Sequence, residues 1–414
     1  MKMSVTNRRL IRALLGITFP CGLMCFYISC SKIGLQDETD EYISFGKPLI
    51  SVDVETRSIA KDALEAGEVF GALGYCVPNQ LGTQNPDYSG GQSVWSTKYR
   101  VCPPSVFYKE RITVSDYGGY CSYPNPKQWY REGRDLTGNS NSSIPAEADL
   151  FRYTFFAYYP YDNGFSIDSP NSATSIGAPK ITFTMPQEDN KLDHSKTPDA
   201  MFGVLYNRQK SQGSLTFSFS HLLTALGFEV NNFSNQELEI HSIKLSGSFF
   251  KKIVLDFSKD GTLSRNDNDM FPDEYYTGEY VLYDECQNGG QPLVLSPPSE
   301  NVDKTTSGLL PKNGNGEGEH ILLISGKEPY FGKGVNISVD YTFGGVRPVP
   351  PFSSSRPETF IPQPGVKYTA QLNFVGDAFV LQFVVDNSES WQNGGSDDPN
   401  PDDDSEYNDK VVFE

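Results

Sequence analysis

Histidine is almost missing from this chain: four occur in 414 residues. So small a supply excludes His-rich metal centres and leaves little for acid–base catalysis near neutral pH. No Cys-x-x-Cys pair, zinc spacing, His-Glu-x-x-His motif or Gly-x-Ser-x-Gly elbow occurs. Gly314-Asn315-Gly316-Glu317-Gly318 is rich in glycine, but no Lys-Ser/Thr pair follows it, so it reads as a surface turn. Basic residues are outnumbered, 34 against 52 acidic, for a net charge of −18. That field excludes nucleic acid as a partner. Long apolar runs are missing too. Ala13 to Ile28 is broken by Pro20, and a membrane span needs about 20 apolar residues. The chain therefore reads as not an enzyme, with no catalytic residue, metal or cofactor assigned.

Aromatics are what it has, at 13%, including 23 Tyr and 27 Phe, beside 37 Gly and 28 Pro. With little Ala-Leu-Glu-Lys periodicity, this composition predicts an all-β protein. At about 100–200 residues per domain, the length suggests two domains. Period-2 alternation marks the strands. Leu215, Phe217 and Phe219 share one face, as do Ile181, Phe183 and Met185, and Val335 to Phe343 at every second residue. Tyr153 to Tyr159 carries aromatics on both faces, as a central strand would. Tyr368 to Phe374 and Phe379 to Val385 flank Gly376-Asp377 and predict a hairpin with a two-residue turn. Ser220 to Leu226, with Ser220 as N-cap and Gly227 at the end, predicts two turns of helix. Strands without interleaved helices predict two β-sandwiches, 42–208 and 209–391, divided near Asn207 to Gly213.

The ends differ from the body. Lys2, Arg8, Arg9 and Arg12 precede the apolar stretch, so residues 1–29 read as a secretory signal peptide. It closes on Tyr27-Ile28-Ser29-Cys30, which resembles a lipobox whose Cys is diacylated and becomes the new N-terminus. Cleavage takes the charge from −18 to −22, so anionic lipid repels the mature chain and only the acyl anchor holds it. Residues 30–41 form an acidic tether and residues 392–414 an acidic tail. Ile50, Val52 and Val54 then mark a first strand, followed by Arg57. Export permits disulfides, and one bridge is expected among Cys76, Cys102 and Cys121, with Cys286 isolated. His221 falls in register with Phe217 and Phe219 and reads as a hydrogen-bonded core histidine. Asn266-Asp267-Asn268-Asp269 reads as a polar loop; as a Ca²⁺ site it lacks EF-hand spacing.

Several stretches in order resemble the fimbrillin-like family of cell-surface lipoproteins. They are Cys30, Leu64 to Gly71, Tyr153 to Tyr161, Asp199 to Gly203, Leu215 to Val230, Gly365 to Tyr368, and Trp391. The resemblance implies two tandem transthyretin-like β-sandwich domains. It also implies a lipid-anchored, surface-exposed fimbrial subunit at the outer membrane, whose partners are other fimbrial subunits or further copies of itself. In polymerising members an Arg-specific protease removes the first strand, and a strand from the next subunit fills the groove. Arg57 stands where such a cut is needed. The alternative is a surface glycan-binding lipoprotein whose sugar contacts are Trp95, Trp129 or the tyrosines at Tyr117 and Tyr120. A secreted hydrolase with a carboxylate pair is the third reading.

Overall fold

Strand formation follows the alternation almost throughout. The computed structural model describes residues 42–50, 64–78, 102–116, 119–129, 151–189, 191–193, 196–258, 270–300, 302–309, 320–326, 331–355 and 360–385. The fold is all-β and built from several sheets, and among the described residues helical conformation is confined to 3-10 geometry, at Lys196 and in a short turn at Lys210–Gln212.

The first sheet has seven strands, in the order Leu49–Ile50, Ser218–His221, Met201–Arg208, Phe151–Tyr159, Val69–Pro78, Phe107–Val114, Cys121–Ser122. All neighbours run antiparallel except the first pair. Phe151–Tyr159 is central, and its two faces enter two different cores. Tyr153, Phe155, Ala157 and Tyr159 join one, while Phe156 and Tyr158 join the other. That double burial is why its aromatics do not alternate with polar residues.

A second sheet runs Thr305–Leu309, Thr224–Asn232, Lys367–Val375, Ala378–Val385, with Ile321–Leu323 also on Thr224–Asn232. A third runs Tyr275–Asp284, Leu238–Phe250, Gly332–Phe343, Phe352–Ser355. The inner faces of these two sheets share the larger core. Leu226, Phe228, Val230, Leu372 and Phe374 come from one, and Leu245, Ile337 and Val339 from the other. Tyr341 closes the contact edge-on, 5.5 Å from Phe374 and 5.0 Å from Phe379. A small sheet of Phe165–Ser169, Lys180–Thr184 and Lys252–Asp256 adds Ile181, Phe183, Ile253 and Leu255 to the same core.

The hairpin forms as its pattern requires. Val375 pairs with Ala378 across Gly376-Asp377, and Gly376 takes φ +70°, which only glycine adopts without strain. The expected helix does not form. Ser218–His221 is a strand beside Met201–Arg208, and Thr224–Asn232 is a strand between two others. Gly227 continues a strand there and caps nothing, because pairing on both sides decides the conformation over a local cap-like pattern. The chain thus passes from the first sheet to the second at Leu222-Leu223.

Candidate functional site

Residues 42–50 are the segment whose placement bears most on function, because they pair in two directions. They lie between the two ends of the first sheet and join them. On one side Phe45 bridges Leu215 in parallel, and Leu49 and Ile50 pair with Ser218 and Phe219. On the other side Gly46 bridges Tyr120 and Tyr42 bridges Gln128, both antiparallel. The backbone is bonded in both directions. The Gly46 and Leu49 amides donate to the Leu215 and Phe217 carbonyls, each at 2.8 Å, and the Leu215 amide donates to the Ser44 carbonyl at 2.8 Å. Opposite, the Cys121 amide donates to the Phe45 carbonyl and the Ile43 amide to the Lys127 carbonyl, both at 2.8 Å. The Tyr123 hydroxyl donates to the Ile43 carbonyl.

The side chains explain why the segment stays. Ile43, Phe45 and Ile50 turn inward at 1%, 0% and 8% exposure, while Tyr42 and Leu49 face out at 39% and 62%. Phe45 sits at the centre of a ring cluster. Phe217 stacks on it at 5.4 Å, Phe155 meets it edge-on at 5.5 Å, and Phe107 and Tyr123 lie at 5.9 and 6.1 Å. The neighbouring position admits little. A Cβ on Gly46 would stand 2.7 Å from the Thr216 hydroxyl oxygen.

Of the first strand read at Ile50, Val52 and Val54, only Ile50 falls within the described residues; Val52, Val54, Arg57 and Cys30 lie outside them. Ile43 and Phe45 escaped the sequence reading, although Tyr42-Ile43-Ser44-Phe45 already alternates. Trp129 is not a sugar contact: it is 4% exposed and meets Tyr153 edge-on at 4.8 Å, inside the core. Tyr120 is exposed at 58%, whereas Trp95, Tyr117 and Asn266 to Asp269 lie outside the described residues. His221 is the buried histidine expected, its Nδ1 2.8 Å from an Asp199 carboxylate oxygen. His241 is held in the same way, between Glu285 and Thr342 at 2.7 Å each. No group of three metal-binding side chains occurs among the described residues.

The expected disulfide does not form: Cys76 and Cys121 carry free thiols, which leaves no bridge among Cys76, Cys102 and Cys121, and Cys286 is a free thiol as well. Burial pushes the thiols of Cys76 and Cys121 up to about 12, so neither is a thiolate near neutral pH. In native protein a maleimide should modify Cys286 first, and Cys76 and Cys102 only after denaturation, as read by peptide mass spectrometry. Labelling of Cys76 as fast as Cys286 would contradict a closed first sheet.

A family model described as fimbrillin-like matches residues 147–380. The chain belongs to the fimbrillin-like family. It is therefore of a structural, non-enzymatic kind, with the role of a fimbrial subunit at the cell surface. No curated protein matches this fimbrillin-like chain. Solved structures similar to it include a putative cell adhesion protein from Bacteroides ovatus, at 12% identity and TM-score 0.37, covering 83% of this chain and 95% of that one. Two come from Porphyromonas gingivalis. The tip fimbrial protein Mfa3 has 9% identity and TM-score 0.32, covering 83% and 98%. The fimbrial anchor protein Mfa2 has 11% identity and TM-score 0.31, covering 83% and 97%.

Proposed function

We propose that this protein is a fimbrial subunit delivered to the outer membrane on a lipid at Cys30. In this reading it assembles by exchanging its own N-terminal segment for a strand of another subunit. The observation that supports it is the double pairing of residues 42–50. Taking that segment out leaves two unpaired sheet edges, along Leu215–Phe219 and Tyr120–Gln128, and an empty seat for Phe45. Unpaired edges and a vacated apolar seat are costly in water, and a strand from a neighbour with alternate apolar residues restores both. The lipid-bearing Cys30 precedes the segment and Arg57 follows it. A cut at Arg57 therefore frees the body from its own anchor and opens the seat in one event. Two tandem sandwiches, with the acidic tether before them and the acidic tail after, remain part of this reading.

Limited digestion with an Arg-specific protease tests it. The expected result is loss of the segment up to Arg57 and, on a gel without boiling, a ladder of multiples of the cut chain. Arg57→Ala should suppress both. A cut chain that stays monomeric would overturn the exchange mechanism and leave family membership intact.

A further inference from the structure

We infer that the outer face of the second sheet binds a neutral saccharide. The inference concerns a different surface from the seat of residues 42–50 and stands whether or not strands are exchanged.

The face is set by register. Glu229 pairs with Gln371, which pairs with Gln382; Asn231 lies between Thr306 and Asn373. The alternation turns these residues away from the core that Phe228, Val230 and Leu372 enter; Asn231 is itself covered, at 0% exposure, while Gln371 and Asn373 are half-buried and Thr306 and Gln382 exposed. Two hydrogen-bonded rows orient the amides. The Thr306 hydroxyl donates to the Asn231 side-chain oxygen at 2.7 Å, and the Asn231 amide donates to the Asn373 oxygen at 2.8 Å. The Asn373 NH₂ is thereby left as an outward donor with no partner among the described residues. In the second row Lys304 donates to Glu229 at 3.1 Å, and the Gln371 amide reaches the same oxygen at 3.5 Å. That leaves the Gln371 carbonyl as an outward acceptor two residues along the same strand. Gln382 is exposed beside it. An oriented donor at Asn373 and an acceptor at Gln371 on one strand, with the exposed Gln382 amide alongside, suit groups that both donate and accept, as sugar hydroxyls do.

Apolar surface borders these rows. Phe233, Val375 and Val380 are exposed at 40%, 52% and 55%. Phe233 follows Asn231 on the same face, its amide bonded to the Phe374 carbonyl at 3.0 Å. An exposed ring and two valines beside oriented amides match a pyranose, which has a C–H face and a hydroxyl edge. The charged pair in these rows is satisfied internally and offers an ionic ligand no unpaired charge. In a chain of −18, the Glu229 carboxylate on this face is neutralised by Lys304.

Affinity electrophoresis of the full mature chain in gels containing mannan, galactan, β-glucan or xylan, with heparin as the acidic control, tests this. At least one neutral polysaccharide should retard the protein. Asn373→Ala and Phe233→Ala should each weaken retardation about tenfold, the loss of one oriented hydrogen bond or one stacking contact. Gln382→Ala, at an exposed side chain outside the core, should weaken it by a smaller factor. Retardation by none of the four, preference for heparin, unchanged retardation of all three variants, or concentration-dependent self-association through this face would each overturn the inference. Because the chain is tested uncut and unpolymerised, failure here leaves the exchange mechanism untouched.

Discussion

Replacing Phe45 by Ala is expected to destabilise the fold by about 3–5 kcal/mol, the range for truncating a buried Phe. Phe45 has no exposed surface and touches four rings contributed by strands far apart in sequence. Phe107 and Phe155 sit in paired strands, the Phe217 carbonyl accepts from the Leu49 amide and the Tyr123 hydroxyl donates to the Ile43 carbonyl, so these rings are held and do not collapse into the space. The cost therefore includes a cavity as well as lost transfer energy. Urea unfolding measures it, with Leu49→Ala as the control. Leu49 is on the same segment but 62% exposed, and its loss should lie within about 0.5 kcal/mol of wild type. Hydrogen exchange adds a local readout. The amides of Gly46 and Cys121, bonded across the two seams, should exchange faster in Phe45→Ala than amides of Leu238–Phe250, which lies in another sheet. Were Phe45→Ala to cost no more than Leu49→Ala, the segment would not be seated as described. Under the exchange mechanism the same variant should also form multiples without proteolysis, because a loosened strand yields its seat to a competitor.

The parts of this fold that the sequence discloses are those decided locally. The hairpin at Lys367–Val385 is legible because both arms alternate and Gly376-Asp377 suits only a tight turn. Phe151–Tyr159 is legible as central because aromatics on both faces need burial on both faces. What stays hidden depends on which distant residue lies opposite. Ser220 to Leu226 carries a cap, an apolar run and a terminal glycine, and nothing local reveals that Lys367–Val375 pairs alongside. Trp129 has no neighbour in sequence to show whether its ring faces sugar or core, and Tyr153 settles it. The closing role of residues 42–50 is hidden for the same reason. Phe45 meets Leu215 and Gly46 meets Tyr120, pairings that no periodicity announces. The saccharide face is intermediate. Gln371 and Asn373 occupy the polar positions of a legible hairpin, but their oriented amides depend on Glu229 and Asn231, joined to them through a parallel register.

Gly332→Ala is expected to destabilise the fold by about 3 kcal/mol, at the upper end of overpacking costs. Gly332 opens the long strand Gly332–Phe343 and lies opposite Phe249. A Cβ there would stand 1.8 Å from the Ser248 carbonyl oxygen and 2.9 Å from the Phe249 Cα. Both are backbone atoms of a paired strand, so no rotamer change relieves the clash and the two strands must separate. Separation breaks the bond from the Phe250 amide to the Phe331 carbonyl, 3.1 Å in length. It also draws Val335 and Phe249 out of a core in which they are 2% and 1% exposed. Gly308→Ala is the matched control, since a Cβ there meets nothing within 4 Å. That change should be neutral or raise stability by up to about 1 kcal/mol through the unfolded chain's lost freedom. The contrast separates steric exclusion from a general intolerance of side chains in these strands. It also fixes register: a slip of one residue between Leu238–Phe250 and Gly332–Phe343 would move Gly332 away from Ser248 and make both substitutions equally mild.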